Sequence, residues 1–258
     1  KLEEEGSGFS SKSYELERDV RAIIDKQEKN GFAFNLKDGT ILLAQLQDEL
    51  SELQRKAEKE FEPTIVELKT KTKKIPFNIG SRQQIADRLQ KRGWKPKQFT
   101  DKGNVIINEA VLSKIKMPEA EMFNRYFLLQ KRTGLLKSWI SECQEDNRVR
   151  GKVMTLRTIT GRMAHAVPNM AQVPSISSSY GRESRGLWGV DDTTKYRLVG
   201  VDASGLELRC LAHYMDDPEY TNIVLTGDVH TANQQAAGLR TRDQAKTFIY
   251  AFLYGAGA

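Results

Sequence analysis

Asp202 stands where an apolar run, Leu198, Val199 and Val201, gives way to LELRCLAHYM at 206–215, whose spacing predicts a helix. The pattern reads as a strand ending in an acid just ahead of a helix. Further along, Arg242, Lys246, Tyr250 and Tyr254 recur at four-residue spacing. On a helix this lines two cations and two phenols along one face. A carboxylate able to hold a divalent metal, close in sequence to a helix face able to hold phosphates, points to nucleotidyl transfer.

Each of these residues has a plainer reading. Asp202 also suits the N-cap of the helix that follows. As a metal ligand it could bridge two Mg2+ ions about 4 Å apart, with the carbonyl of Ala203 as a main-chain ligand. Glu207 is an acid in an otherwise apolar helix start, where a buried charge is costly without a partner. A salt bridge to Arg209 or Arg162 would account for it. Thr241 suits an N-cap, and Ala245, Ile249 and Phe252 are expected as core. Arg242 in the first turn runs against the helix dipole. It makes sense if anionic phosphates come to the same end. A surface helix with an incidental Arg–Lys pair would share that spacing, but fits the Tyr-Gly ending less well.

Arg162, Asn169 and Gln172 form a second set, in TGRMAHAVPNMAQVP at 160–174. All three can donate to the minor-groove acceptors common to every base pair, purine N3 and pyrimidine O2, without reading sequence. Pro168 and Pro174 stiffen the segment that presents them. A simple polar turn explains Asn169 alone more readily than the whole set.

VDASGLELR resembles the first catalytic motif of family-A, DNA polymerase I-like, DNA polymerases. RDQAKTFIYAFLYG resembles their fingers helix, TGRMAHAVPNMAQVP their primer-template minor-groove motif, and GDVHTANQ the segment before the fingers helix. The wording is most similar to the replicative polymerases of short-tailed phages. The resemblance implies Asp202 and Lys246 as catalytic residues, with Asp202 and Ala203 on metal and two Mg2+ ions as cofactors. It implies Glu207, His230, Arg242, Lys246, Tyr250 and Tyr254 as nucleotide-binding residues. Glu207 would exclude a ribose 2′-hydroxyl, His230 would contact the triphosphate, Tyr250 would face the sugar and Tyr254 the templating base. Arg162, Asn169 and Gln172 would be DNA-binding. Primer-template DNA and deoxynucleoside triphosphates are the implied partners.

Composition agrees with a soluble, globular, phosphate-binding protein. The 258 residues are 39% hydrophobic and 29% charged, with a net charge of +6. Residues 41–160 hold 24 Lys and Arg against 15 Asp and Glu. Between Lys69 and Lys102 there are 11 cations and only Asp87 and Asp101 as anions. Such a block is the footprint of a nucleic-acid backbone, or else a solvated Lys-rich face. Cys143 and Cys210 are far apart and lack metal spacing, which fits a reduced, intracellular compartment; the phage resemblance implies the cytoplasm of a host cell. No run approaches the roughly 18 apolar residues of a membrane span, and no signal peptide is visible.

The elements that would position these residues are α+β. Residues 1–13 read as a frayed end or linker. A helix is predicted at 14–30 with Gly31 as its C-cap, a short strand at 32–35, and a long helix at 38–60 capped by Asp38. An extended Lys-rich stretch follows at 62–77. Further helices are predicted at 82–92 after Ser81, at 109–115, and from Pro118 to about Glu142, with a loop at 100–104. Strands are predicted at 148–155 and 196–201, and residues from about 219 onward as helical. The resemblance implies a right-hand polymerase fragment. It comprises a tail and palm-associated helix at 1–37, a helical thumb at 38–147, the first part of an antiparallel palm sheet at 148–218 and the start of helical fingers at 219–258.

Some family features are missing from the sequence. A His-Asp-Glu-type turn supplying the second metal carboxylate is not found, nor is an exonuclease acidic cluster. The sequence begins at Lys1 and stops within a motif at Ala258, and both ends read as cut. It is therefore expected to be inactive alone, with a C-terminal polymerase fragment as one conceivable partner. In phage enzymes of this type a large thumb insertion binds thioredoxin. The corresponding stretch, 62–77, is short, so thioredoxin is not expected as a partner. Two other readings compete: a non-catalytic basic DNA-binding protein and a single-subunit RNA polymerase. Glu207 and Tyr250 favour deoxynucleotides over the latter.

Overall fold

A computed structural model describes residues 10–68 and 71–255. Residues 1–9 of the expected N-terminal tail lie outside them, and residues 11–13 are helical. The chain forms two compact units, Lys1–Leu198 and Val199–Ala258.

In the first unit, α1 (Ser11–Asn30) starts three residues earlier than predicted, because the Ser10 side chain accepts from the Ser13 amide and caps it. Gly31 ends the helix at φ +64° and leads into β1 (Phe32–Phe34). A Cβ on Gly31 would lie 2.7 Å from Arg150 Cγ and 2.8 Å from the Val149 carbonyl, so this position requires glycine. The long helix α2 (Leu36–Glu60) is capped by Asn35, not Asp38. The Asn35 oxygen accepts from the Asp38 amide at 3.1 Å, and Asp38 sits in the first turn, where the helix dipole favours an acid.

The predicted extended stretch at 62–77 is an antiparallel hairpin of β2 (Thr64–Leu68) and β3 (Lys71–Ile75). Helices α3 (Arg82–Lys91), α4 (Glu109–Leu112) and α5 (Pro118–Ser141) follow. Ser81 caps α3 and Asn108 caps α4. α5 opens on Pro118 at a position that needs no N–H donor, with Glu119 and Glu121 in its first turn.

Two apolar cores hold this unit. Leu46, Leu129, Leu136 and Trp139 are buried against Phe34 and Leu187, where α2 and α5 meet the small sheet. Phe61, Phe77 and Phe123 stack with centroids 4.6–6.0 Å apart and are buried with Ile79, Ile85 and Leu89. Each such side chain contributes about 1.5–3 kcal/mol by leaving water. The carboxylate of Glu119 is buried at this second core and paired with Arg92, whose guanidinium lies 5.3 Å from the Phe61 ring. That pairing offsets the cost of burying the charge.

The strand predicted at 148–155 is two strands in different sheets. β4 (Arg148–Val149) pairs with one side of β1, and β7 (Trp188–Gly189) with the other. β5 (Lys152–Met154) pairs instead with β6 (Ala164–Ala166). The chain turns at Gly151, where a Cβ would be 2.6 Å from the Met170 sulfur. A one-turn helix, α6 (Gly181–Gly186), precedes β7.

The second unit is helical: α7 (Leu206–Met215), α8 (Pro218–Thr226), α9 (Val229–Ala236) and α10 (Arg242–Leu253). Leu208, Ala212, Val224 and Val229 form its core, with Ile249 and Leu253 packed against it. Ala245 is fully buried, as expected. Phe252 is not core. It is 66% exposed and stacks with the exposed Phe248, one turn earlier on the outer face. Residues 196–201 do not form a strand. Leu198, Val199 and Val201 are exposed, and the run has no ladder partner among the described residues. Strand propensity cannot by itself satisfy backbone hydrogen bonds. Among the described residues no helix is long and apolar enough to cross a membrane.

Candidate active site

The second unit gathers most of the chemistry-bearing residues read from the sequence. Asp202, Ala203, Glu207, His230, Arg242, Lys246 and Tyr250 all line one cleft of about 660 Å3. The local structure explains how they reach it.

Asp202 is not a helix cap. α7 begins after Gly205, which sits at φ +60° and makes no side-chain cap bond. The Asp202 carboxylate is exposed and has no hydrogen bond or ion pair among the described residues. Glu207 lies in the first turn of α7, and its carboxylate accepts a hydrogen bond from the Tyr254 hydroxyl. Arg209 sends its Nε to the Ser204 carbonyl at 2.8 Å.

α10 is capped by Thr241 in a reciprocal box with Gln244, at 3.2 and 3.3 Å. This fixes the first turn that carries Arg242 and places Lys246 and Tyr250 on successive turns of the cleft wall. Tyr254 follows one turn on, its amide donating to the Tyr250 carbonyl at 3.1 Å. The helix ends at Leu253, and Tyr254 (φ −91°, ψ 12°) is its C-cap, outside the cleft lining.

Asp228 is the residue that sequence reading passed over. Its carboxylate caps α9 by accepting from the His230 amide at 3.1 Å and the Thr231 hydroxyl at 2.8 Å. It also accepts both arms of Arg242, from Nε at 2.6 Å and from Nη2 at 3.0 Å. The Arg242 guanidinium, then Thr231 and the His230 amide, hold this carboxyl well below the usual range. The Asp-x-x-Thr capping pattern was visible in the sequence; the pairing with a residue 14 positions on was not.

His230 is half-buried, with its ring 6.1 Å from that of Tyr250. Burial lowers its pKa first, and the Arg242 and Lys246 charges add to this, while Asp228 opposes them. The ring is thus biased toward its neutral form. Its Nδ1 is buried and has no hydrogen-bond partner among the described residues.

The described residues contain no group of three or more His, Cys, Asp or Glu placed to enclose a metal. Mg2+ does not require one. It keeps much of its water and is commonly bound by one or two carboxylates plus substrate phosphates. Asp202 and the Ala203 carbonyl fit that partial, hard-oxygen donor set.

In the first unit, Arg162 closes the turn between β5 and β6, where its amide donates to the Thr158 hydroxyl at 2.8 Å. Asn169 is half-buried. Its backbone carbonyl accepts from Trp139 Nε1 at 3.3 Å and its side-chain oxygen from the Ala171 amide at 3.1 Å. The side-chain oxygen is therefore committed to a local turn, and the amide N–H groups are what Asn169 can offer outward. Arg162 and Gln172 are exposed.

The profile of DNA polymerase family A matches residues 45–258, and the chain belongs to that family. The DNA-directed DNA polymerase of Enterobacteria phage T3 is 44% identical over 207 residues, covering 73% of this chain and 29% of that protein. The enzyme of Escherichia phage T7 is 43% identical over the same length, with the same coverage. The chain thus spans less than a third of the length of these relatives. The POL domain of Pol1 from M. smegmatis, solved in complex with DNA primer-template and dNTP, shares the fold with a TM-score of 0.76 at 18% identity. That match covers 93% of this chain and 42% of the other.

Proposed function

We propose that these residues form part of a DNA-directed DNA polymerase that transfers nucleotides from deoxynucleoside triphosphates to a primer 3′-hydroxyl. The observation that carries this reading is the cleft that the exposed Asp202 lines together with Arg242, Lys246 and His230. Two cations and a histidine suit a triphosphate, and the free carboxylate suits the metal that accompanies it. Arg242 and Lys246 would bind and orient the phosphates, with Lys246 also able to deliver a proton to the leaving group. Tyr250 and Glu207 would bound the sugar. Mg2+, when bound, would supply positive charge that activates the 3′-hydroxyl and offsets the negative charge of the triphosphate.

Residues 38–147 would then serve as thumb, 148–218 as the first part of the palm and 219–258 as the start of the fingers, with 1–37 as a tail and palm-associated helix. Arg162, Asn169 and Gln172 would sense minor-groove shape without reading sequence. The cationic block between Lys69 and Lys102 would follow the backbone.

Binding of labelled primer-template to the chain tests this reading. Affinity should fall steeply with salt and rise when the complementary deoxynucleotide is added. Binding to blunt duplex with no nucleotide effect would indicate a non-catalytic DNA-binding protein instead. No His-Asp-Glu-type turn is found in the sequence to supply a second metal carboxylate, so a polypeptide of these residues alone should extend the primer negligibly. Robust extension would show that Asp202 needs no second acid.

A further inference from the structure

We propose that Asp228 is a positioning residue for the polyphosphate. Its carboxylate grips the Nε–Nη2 edge of Arg242 and presents the rest of the guanidinium to the cleft. The inference rests on the phosphate-binding reading of this cleft and assigns a role to a residue that reading does not use.

Three ties fix the carboxylate itself: the His230 amide, the Thr231 hydroxyl and the two-pronged contact with Arg242. One acid therefore sets the first turn of α9, which carries His230, against the first turn of α10, which carries Arg242. Arg242 Nη1 makes no hydrogen bond among the described residues, so that corner of the fork is available to an anion. Stability alone does not account for the pair. Its side chains are 50% and 43% exposed, and pairs so exposed contribute little to folding. Nor does a first-turn arginine gain from the helix dipole. What the pair does supply is order: a long side chain already held in place loses less freedom when phosphate arrives.

The sign of the effect distinguishes this role from simple charge. A carboxylate beside an anion site repels the anion, so neutralising it should tighten binding. Positioning predicts the reverse. Tripolyphosphate should be titrated by calorimetry into the chain, into Asp228→Asn, into Arg242→Lys and into the double variant, at low ionic strength. Asn remains a good N-cap, so the fold of α9 is kept. Asp228→Asn should bind about 3- to 10-fold more weakly. In the Arg242→Lys background, which lacks the fork, the same change should cost nothing further. The Arg242 Nε–Hε resonance, observed without any ligand, should be sharp and slowly exchanging in the parent and lost in Asp228→Asn.

Equal or tighter binding by Asp228→Asn, with the parent binding normally, overturns the positioning role alone. A full loss that persists in the Arg242→Lys background also overturns it, because Asp228 would then act other than through Arg242. If the parent binds no tripolyphosphate while its Arg242 resonance shows the held fork, the phosphate reading of the cleft fails, and with it the purpose assigned to the pair.

Discussion

The Tyr254 hydroxyl donates a hydrogen bond to the Glu207 carboxylate, joining the end of α10 to the first turn of α7 across 47 residues of sequence. Tyr254, the C-cap of α10, is not among the residues lining the cleft, whereas Glu207 lines it with its carboxylate held by that hydroxyl. An anchored carboxylate can exclude a hydroxyl that a mobile one would yield to. In an enzyme completed with a second metal-binding acid, Glu207→Ala should relax exclusion of ribonucleotides. Tyr254→Phe should do so more weakly, because the carboxylate stays and loses only the hydroxyl contact. Loss of a shaped hydroxyl-sized contact can cost tenfold or more in discrimination. Competition between ribo- and deoxynucleotides for one template position measures both ratios. Equal ratios in all three proteins would remove Glu207 from sugar selection.

Tyr250 stands two turns after Arg242 on the same cleft wall. If Arg242 meets phosphate, the phenol lies toward the sugar. Tyr250→Phe should raise dideoxynucleotide incorporation relative to normal nucleotides and leave ordinary synthesis largely intact. The same substitution should not alter ribonucleotide exclusion, which separates its role from that of Glu207. Incorporation from mixed nucleotide pools reads this ratio directly.

Asp202 makes no cap bond and no ion pair among the described residues, so its removal should leave the fold alone. Asp202→Ala should change unfolding free energy by no more than about 0.5 kcal/mol, as at other unengaged surface positions. In the completed enzyme it should lower turnover by at least about 10²–10³-fold, the cost of losing a preorganised electrostatic contact. DNA affinity should be nearly unchanged. A variant that unfolds early but turns over normally would make Asp202 a structural residue after all.

Local signals in the sequence carried the helices. The segment at 206–215 is α7 residue for residue, Thr241 caps α10, Ser81 caps α3 and Gly31 ends α1. Each is decided by a few neighbouring side chains and a backbone angle. The strand reading of 196–201 failed because an apolar β-rich run has the same pattern whether or not another strand lies beside it. The break at Gly151 was hidden because the residues on its two sides pair with different strands, β1 and β6, which no local pattern reveals. Asn35 and Asp38 are both good caps, and only the backbone shows which side chain reaches an open amide. The cleft residues were legible through their motifs. The Asp228–Arg242 pair was not, since it joins two helices across a turn.

Glu49 gives the first unit a predictable dependence on pH. Its carboxylate accepts from Arg125 Nε at 2.6 Å and from the Tyr180 hydroxyl at 2.5 Å, tying α2 and α5 to the residue that precedes α6. The Arg125 hydrogen bond, ahead of the opposing effect of burial, lowers the Glu49 pKa; burial and the Glu49 contact raise that of Tyr180. A depressed carboxyl stabilises the fold where it is ionised in both states, above the unfolded value of about 4.3. That stability is lost as pH falls through the lower, folded value. Both side chains of the ion pair are about a third exposed, so solvent screening keeps its contribution near 1 kcal/mol. Glu49→Gln should therefore destabilise the protein by about 1 kcal/mol near pH 7, and the difference from the parent should shrink steadily below about pH 4. Denaturant titrations of both proteins across that range provide the check. A difference that does not change with pH would mean that Glu49 acts through its shape and neutral hydrogen bonds and not through its charge.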